Sequence, residues 1–215
     1  PARFRRQRVL IVGCGEVGQR VAQLLPKRAE FGGIITNLTA EAERHGATIH
    51  RRSEVTRDML RAQKPDAVIV ATGSRPHAPP FEGEAAQMVH VADILAGRVS
   101  TGQKVVVYDW MGDWGGSGIA EKLAAEGASV RLAVNHHCAS ASIQTYVRFE
   151  QVARLHRLGV EVHPWLRLYG GDGRTAYFIH TPSREAVVME DVDTIVLNTP
   201  NLQEDGLVVV LEELA

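Results

Sequence analysis

The chain has 215 residues, enough to bury a sizeable core as one large domain or two small ones. Its 24 basic and 25 acidic residues nearly cancel, which excludes the strong field of a nucleic-acid binder or a general attraction to anionic membrane. No apolar run approaches the roughly 18 residues of a membrane span, the first residues lack a signal-peptide centre, and Cys14 and Cys138 cannot form a disulfide framework or a zinc site, so a cytoplasmic protein is expected.

Residues 8–18 read RVLIVGCGEVG. Val9, Leu10, Ile11 and Val12 predict a buried strand, and Gly13, Gly15 and Gly18 complete G-x-G-x-x-G ahead of a helical pattern. Each glycine has a mechanical task in a dinucleotide turn: the tight bend, close approach of phosphate, and close packing of helix on strand. Gly13, Cys14, Gly15, Val17 and Gly18 are the candidate cofactor residues of this first turn. Glu16, close to where phosphate would sit, opposes a tight anion site.

A second strand ending in an acid should follow, to hold a ribose hydroxyl. Pro26 instead leads into AEFGGIITNLTAEAERHG, which fits a helix through Phe31, Ile34, Ile35, Leu38 and Ala42, or a short strand ending at Asn37. Neither version supplies the acid. Residues 47–54, ATIHRRSE, predict a strand, and residues 56–65 a short helix stopped by Pro65. Residues 66–73, DAVIVATG, predict a strand buried on both faces.

The most organised stretch is residues 104–134, KVVVYDWMGDWGGSGIAEKLAAEGASVRLAV. A β-branched run at 105–107, a turn with Gly112, Gly115, Gly116 and Gly118, a helix closed by Gly127 and a strand alternating at Val130, Leu132 and Val134 make a βαβ unit. Its helix would begin with free N–H groups aimed into the turn, a ready place for diphosphate. Trp110 and Trp114 are read as a shield for an adenine or as covers of the helix start, the second being preferred. Asn135, at the next strand end, is neither an acid for a ribose 2′-hydroxyl nor an arginine for a 2′-phosphate, so NAD and NADP both stay open.

Further on, residues 143–159 predict an amphipathic helix with Val147, Val152, Leu155 and Leu158 inward. Residues 160–165 predict a strand, residues 166–188 an antiparallel hairpin turning at GDGR, and residues 193–198 a last buried strand. Residues 205–215 read as a terminal helix or strand.

Residues 71–83, ATGSRPHAPPFEG, resemble the crossing between the two nucleotide domains of flavoprotein disulfide reductases and their relatives. With EFGGII (30–35), DAVIVATGSRP (66–76), VHVADILAG (89–97), the βαβ unit and VDTIVLNTPN (192–201), the chain is most similar to the C-terminal FAD/NAD(P)-binding region of the old yellow enzyme-like NADH:flavin oxidoreductases, the group of 2,4-dienoyl-CoA reductase and trimethylamine dehydrogenase. The resemblance implies an α/β fold of two Rossmann-like three-layer domains with parallel sheets, the second inserted into the first, plus an antiparallel hairpin. It implies a FAD- or ADP-binding-like domain over 1–83 and 202–215, shortened because residues 25–30 leave no room for the acid-bearing strand. An NAD(P)-binding-like domain is expected over 84–201.

By the same resemblance Thr72 and Gly73 join the first turn. Asp109, Gly112, Gly116, Gly118 and Asn135 would hold NAD(P)H, and hydride would pass between nicotinamide and flavin. The implied partners are small-molecule dinucleotides and a flavin-barrel domain or partner subunit. No protein-borne acid/base pair is evident, and none is needed where cofactors carry the chemistry. Three other readings stand beside this one. A non-catalytic nucleotide-binding module fits the incomplete flavin site. A hydrolase elbow needs G-x-S-x-G, but Ile119 follows Gly118. An epimerase or reductase needs Tyr-x-x-x-Lys, and no tyrosine here has that lysine.

Overall fold

The computed structural model describes residues 9–12, 29–50, 53–85, 87–203 and 206. The chain divides into two units, residues 1–75 with 202–215, and residues 76–201, so the second is inserted in the chain of the first. The residues of the first glycine turn and almost all of 205–215 lie outside the described residues.

In the first unit β1 (Val9–Val12) pairs in parallel with β2 (Ala67–Val70), Val12 opposite Val70. Between them lie α1 (Ala29–Arg44) and α2 (Arg57–Gln63). The ambiguous segment is therefore helix. Thr56 caps α2, its hydroxyl oxygen accepting from the Met59 N–H at 3.4 Å, and Lys64 ends it in the left-handed region at φ 44°. Two expectations fail here. The described part of residues 47–54 is coil and exposed, and among the described residues no strand takes up its backbone groups. β2 is not buried on both faces: it alternates exposed and half-buried, with Ile69 51% exposed. Among the described residues only β1 pairs with it, and one face stays open. A short strand β3 (Ser74–Pro76) follows.

The second unit is built on β6. In order it contains β4 (Glu82–Ala85), β5 (Met88–His90), α3 (Val91–Leu95), β6 (Lys104–Asp109), α4 (Trp114–Ala125), β7 (Ser129–Val134), α5 (Thr145–Arg157), β8 (Glu161–His163), β9 (Leu166–Gly173), β10 (Thr175–His180), β11 (Ala186–Met189) and β12 (Thr194–Asn198). A further short strand, β13, spans Asn201–Gln203. Five parallel strands lie in the order β5-β12-β6-β7-β8. The hairpin appears as an antiparallel meander, β11-β10-β9, with β4 added in parallel to β9.

Alternation along β6 assigns the layers. Val105 and Val107 join Ile119, Leu123 and Leu155 on the helical side. Val106 and Tyr108 join Leu166, Leu168 and Phe178 on the meander side. All four β6 residues have no exposed surface, as a strand between two covering layers requires. The parallel, inserted α/β architecture read from the sequence is the observed one, with a meander as the third layer of this unit.

α4 starts at Trp114, earlier than the apolar pattern suggested, and ends in a Schellman closure. Gly127, at φ +98°, donates its N–H to the Ala124 carbonyl, and the Ala128 N–H reaches Leu123 O, both at 3.0 Å. The inward face of α5 differs from the predicted one. Leu155 and Gln151 are buried, while Val152 and Leu158 are 36% and 39% exposed. Gln151 is tolerated inside because its amide donates to Glu121 Oε2 at 2.9 Å and its oxygen accepts from Arg154 at 2.5 Å. Counting only apolar residues missed a satisfied polar one. Leu155→Ala is expected to cost about 2–5 kcal/mol in urea denaturation, whereas Leu158→Ala costs less than about 1 kcal/mol.

Candidate functional site

From β6 the chain steps to β7 and β8 on one side, while β12 lies on the other. The carboxyl ends of β6 and β12 thus flank the point where the strand order reverses, the usual ligand crevice of an open α/β sheet. Asp109 and Asn198 are registered partners at those ends.

Asp109 has no exposed surface. Its Oδ1 accepts from the Gly112 N–H at 2.9 Å and from Asn198 Nδ2 at 2.7 Å. Asn198 Nδ2 also donates to Asp113 Oδ1 at 2.9 Å. Asp113 is the N-cap of α4 and accepts from the Gly115 N–H at 2.8 Å. The Ser117 hydroxyl, fully buried, donates to the Asp113 carbonyl at 3.0 Å.

The glycines are required here, though by the protein's own side chains. A Cβ on Gly116 would lie 2.2 Å from Asp109 Cγ, and one on Gly115 would lie 2.6 Å from Asn198 Oδ1. Gly112 sits at φ +64°, where a Cβ would be 2.7 Å from the His136 ring. Gly118 has open space and makes no close approach.

Asp109 Oδ2 is buried without a hydrogen-bond partner. Burial is the main reason its pKa rises above the ordinary carboxylate value; the Asn198 and Gly112 hydrogen bonds and His136 oppose the rise, and Asp113 adds to it. The positive end of the α4 dipole thus faces two carboxylates of the chain itself. To the extent that both are ionised, an incoming diphosphate would meet them as like charges, at a cost on the order of 1–4 kcal/mol for each unscreened pair a few ångströms apart.

Of the residues singled out from the sequence, Asp109, Gly112 and Gly116 meet at this mouth. The Asn135 N–H donates to the Asp109 carbonyl at 3.1 Å, bringing the end of β7 beside it. Thr72 and Gly73 follow β2 in the other unit, at the carboxyl edge that β1 also reaches. Gly13, Cys14, Gly15, Val17 and Gly18 lie outside the described residues. Asp113 and Asn198 were not foreseen as a pair. An aspartate before a helical pattern is a cap signal, but Asn198 is 85 residues from Asp113 and 89 from Asp109, and nothing local marks it.

Over all but about one hundredth of its length the chain superposes on histamine dehydrogenase from Rhizobium sp. 4-9, with a TM-score of 0.77 at 21% identity, covering 99% of this chain and 39% of that one. At that identity the likeness is one of fold. The resemblance drawn from sequence holds at the level of fold. A probable N-methylproline demethylase of Rhizobium meliloti (strain 1021) is 28% identical over 153 residues, 59% of this chain and 23% of that protein. An NADH oxidase of Thermoanaerobacter brockii is 28% identical over 184 residues, 72% of this chain and 28% of that protein. The chain therefore spans about a quarter of the length of these curated relatives. Residues 7–92 also match the GFO_IDH_MocA family model, described as an oxidoreductase family with an NAD-binding Rossmann fold. Among the described residues no helix is long and apolar enough to cross a membrane.

The buried carboxylate gives a pH prediction. Because the folded pKa of Asp109 is raised, its favourable contribution is complete below the unfolded value and is lost as pH climbs through the folded one. Asp109→Asn keeps the Oδ1 acceptor and removes the charge. The melting temperature of the variant should gain on that of the parent as pH rises from about 4 to 8; parallel curves would refute a buried charge here.

Proposed function

We propose that the chain is the dinucleotide-binding module of a nicotinamide-linked flavoprotein oxidoreductase, with its nucleotide held on the first turn by Gly13, Cys14, Gly15, Val17 and Gly18, next to Thr72 and Gly73. The observation that carries this choice is the mouth of α4, where Asp109 and Asp113 occupy the ground that a diphosphate would need. The family match over residues 7–92 supports the same end of the chain. NAD(P), FAD and ADP all present the diphosphate that bared main-chain amides grip.

In this reading the whole protein passes hydride between NAD(P)H and a flavin. The flavin would be supplied by a barrel domain or partner subunit, in the cytoplasm. The module binds and orients; the redox chemistry belongs to the cofactors.

A second reading places NAD(P)H on the 109–118 turn, with Asp109, Gly112, Gly116, Gly118 and Asn135. The position at the switch point favours it, as does the raised Asp109 pKa. Burial weakens the tendency of Asp109 to carry a charge, which lessens its repulsion of phosphate. A module that binds nucleotide without turnover is the remaining alternative.

Thermal shift separates them. ADP or NAD(P)H at a hundred times its dissociation constant should stabilise the chain by about 2.7 kcal/mol. Loss of that shift in Gly15→Asp, with Gly118→Ala unaffected, supports the first turn. A shift that survives Gly15→Asp assigns the nucleotide to the second turn, and no shift with any dinucleotide leaves neither reading standing. A yellow absorbance in the purified protein would identify the nucleotide as a flavin.

A further inference from the structure

On the meander side of the sheet, next to the α4 mouth, the second unit leaves a crevice of about 400 Å³. That is within the roughly 300–1,000 Å³ of small-molecule sites. Its apolar walls are the Trp110 indole, Leu168 and the rings of Pro79, Pro80 and Pro200. These walls are already set before any ligand arrives. Proline rings have almost no rotamer freedom to lose. Trp110 is held at its backbone, the N–H donating to Asn198 O at 3.0 Å and the carbonyl meeting His136 Nε2 at 3.0 Å. Its ring also stands edge-on to Tyr108, with centroids 6.2 Å apart and planes at 82°. A flat ring would enter a preorganised slot and sacrifice little order on binding.

The polar groups around the slot are unequal. Three acceptors are already engaged. Glu82 Oε2 takes the Tyr169 hydroxyl at 2.8 Å, the Pro200 carbonyl takes the His77 N–H at 3.2 Å, and the His77 carbonyl takes the Thr199 hydroxyl at 2.5 Å. Those bonds also spend the Tyr169, His77 and Thr199 donors, and two donors are left over. Among the described residues neither the Arg167 guanidinium nor the Trp110 indole N–H has a hydrogen-bond partner. Arg167 and Tyr169 share the exposed face of β9, with buried Leu168 between them. A ligand that fits must bring a planar apolar body and its own negative acceptor, since planar carboxylates suit the guanidinium fork.

We propose that this crevice binds a planar aromatic carboxylate, its ring between Trp110 and the prolines and its carboxylate on Arg167. The site is separate from the glycine turns, and the proposal does not rest on which of them holds nucleotide.

Calorimetric titration of the 215-residue chain with anthranilate, aniline, benzamidine and nicotinamide mononucleotide tests it. Anthranilate should bind one to one, aniline at least about tenfold more weakly for want of the charge-assisted contact, and benzamidine not at all. Arg167→Met should weaken anthranilate about tenfold or more while its melting temperature stays that of the parent. Trp110→Phe, which keeps an aromatic ring but removes the indole donor, should weaken it by a smaller factor. Gly15→Asp should leave anthranilate binding untouched, so that failure of the nucleotide reading would not be mistaken for failure of this one. Equal affinity for anthranilate in Arg167→Met would overturn the proposal. So would benzamidine binding as tightly, or mononucleotide binding in a slot that anthranilate does not enter.

Discussion

One amide group holds the centre of the second unit together. The Asn198 side chain gives hydrogen bonds to Asp109 at the end of β6 and to Asp113 at the start of α4, 2.7 and 2.9 Å long. Asn198 belongs to β12, so the contact ties two adjacent parallel strands to the helix that crosses from one of them. Without those donors two carboxylates would face each other across a helix start with one of them fully buried, an arrangement that costs several kcal/mol unless both are hydrogen-bonded. The crowded glycines follow from the same contact. Gly115 and Gly116 leave room for Asn198 and Asp109, so glycine at a strand-to-helix turn here reflects internal packing.

The layers around that centre follow from one strand. Consecutive side chains of β6 enter two separate cores, one shared with α3, α4 and α5, the other with the meander. The meander brings β9 up beside the carboxyl end of the sheet. The crevice therefore has Trp110 from the β6 end, Leu168 and Arg167 from β9, and Pro200 from beyond β12. The glycine turn and the crevice lie beside one another because both sit where the strand order reverses, but they differ in chemistry. The turn is rich in acceptors that the chain has already used, and the crevice keeps donors in reserve.

A dinucleotide turn needs amides bared by glycine, and residues 7–92 match a family described as an oxidoreductase family with an NAD-binding Rossmann fold. The second unit has a parallel sheet and a crossover helix, with aspartates filling the mouth of that helix. Two similar βαβ units in one chain need not share one task, because the phosphate site depends on a few atoms at the helix start and the fold does not.

Much of the architecture was legible in residue order. The run at 105–107, the glycine after α4, the turn at GDGR and the apolar β12 each depend on local rules: periodicity of two, a left-handed helix end, a tight turn. The outcome differed where a residue's state depends on neighbours far along the chain. Ile69 is exposed because one face of β2 is uncovered, residues 47–50 pair with no strand among the described residues, and Gln151 is buried because Glu121 and Arg154 satisfy its amide. The sequence by itself determined that there would be a parallel α/β fold with a glycine turn at the start of α4, since propensity and spacing are properties of short segments. Only the tertiary structure decided that Asp109, Asp113 and Asn198 would close the second turn, because hydrogen bonds between residues more than eighty positions apart exist only once the sheet has set its strand order.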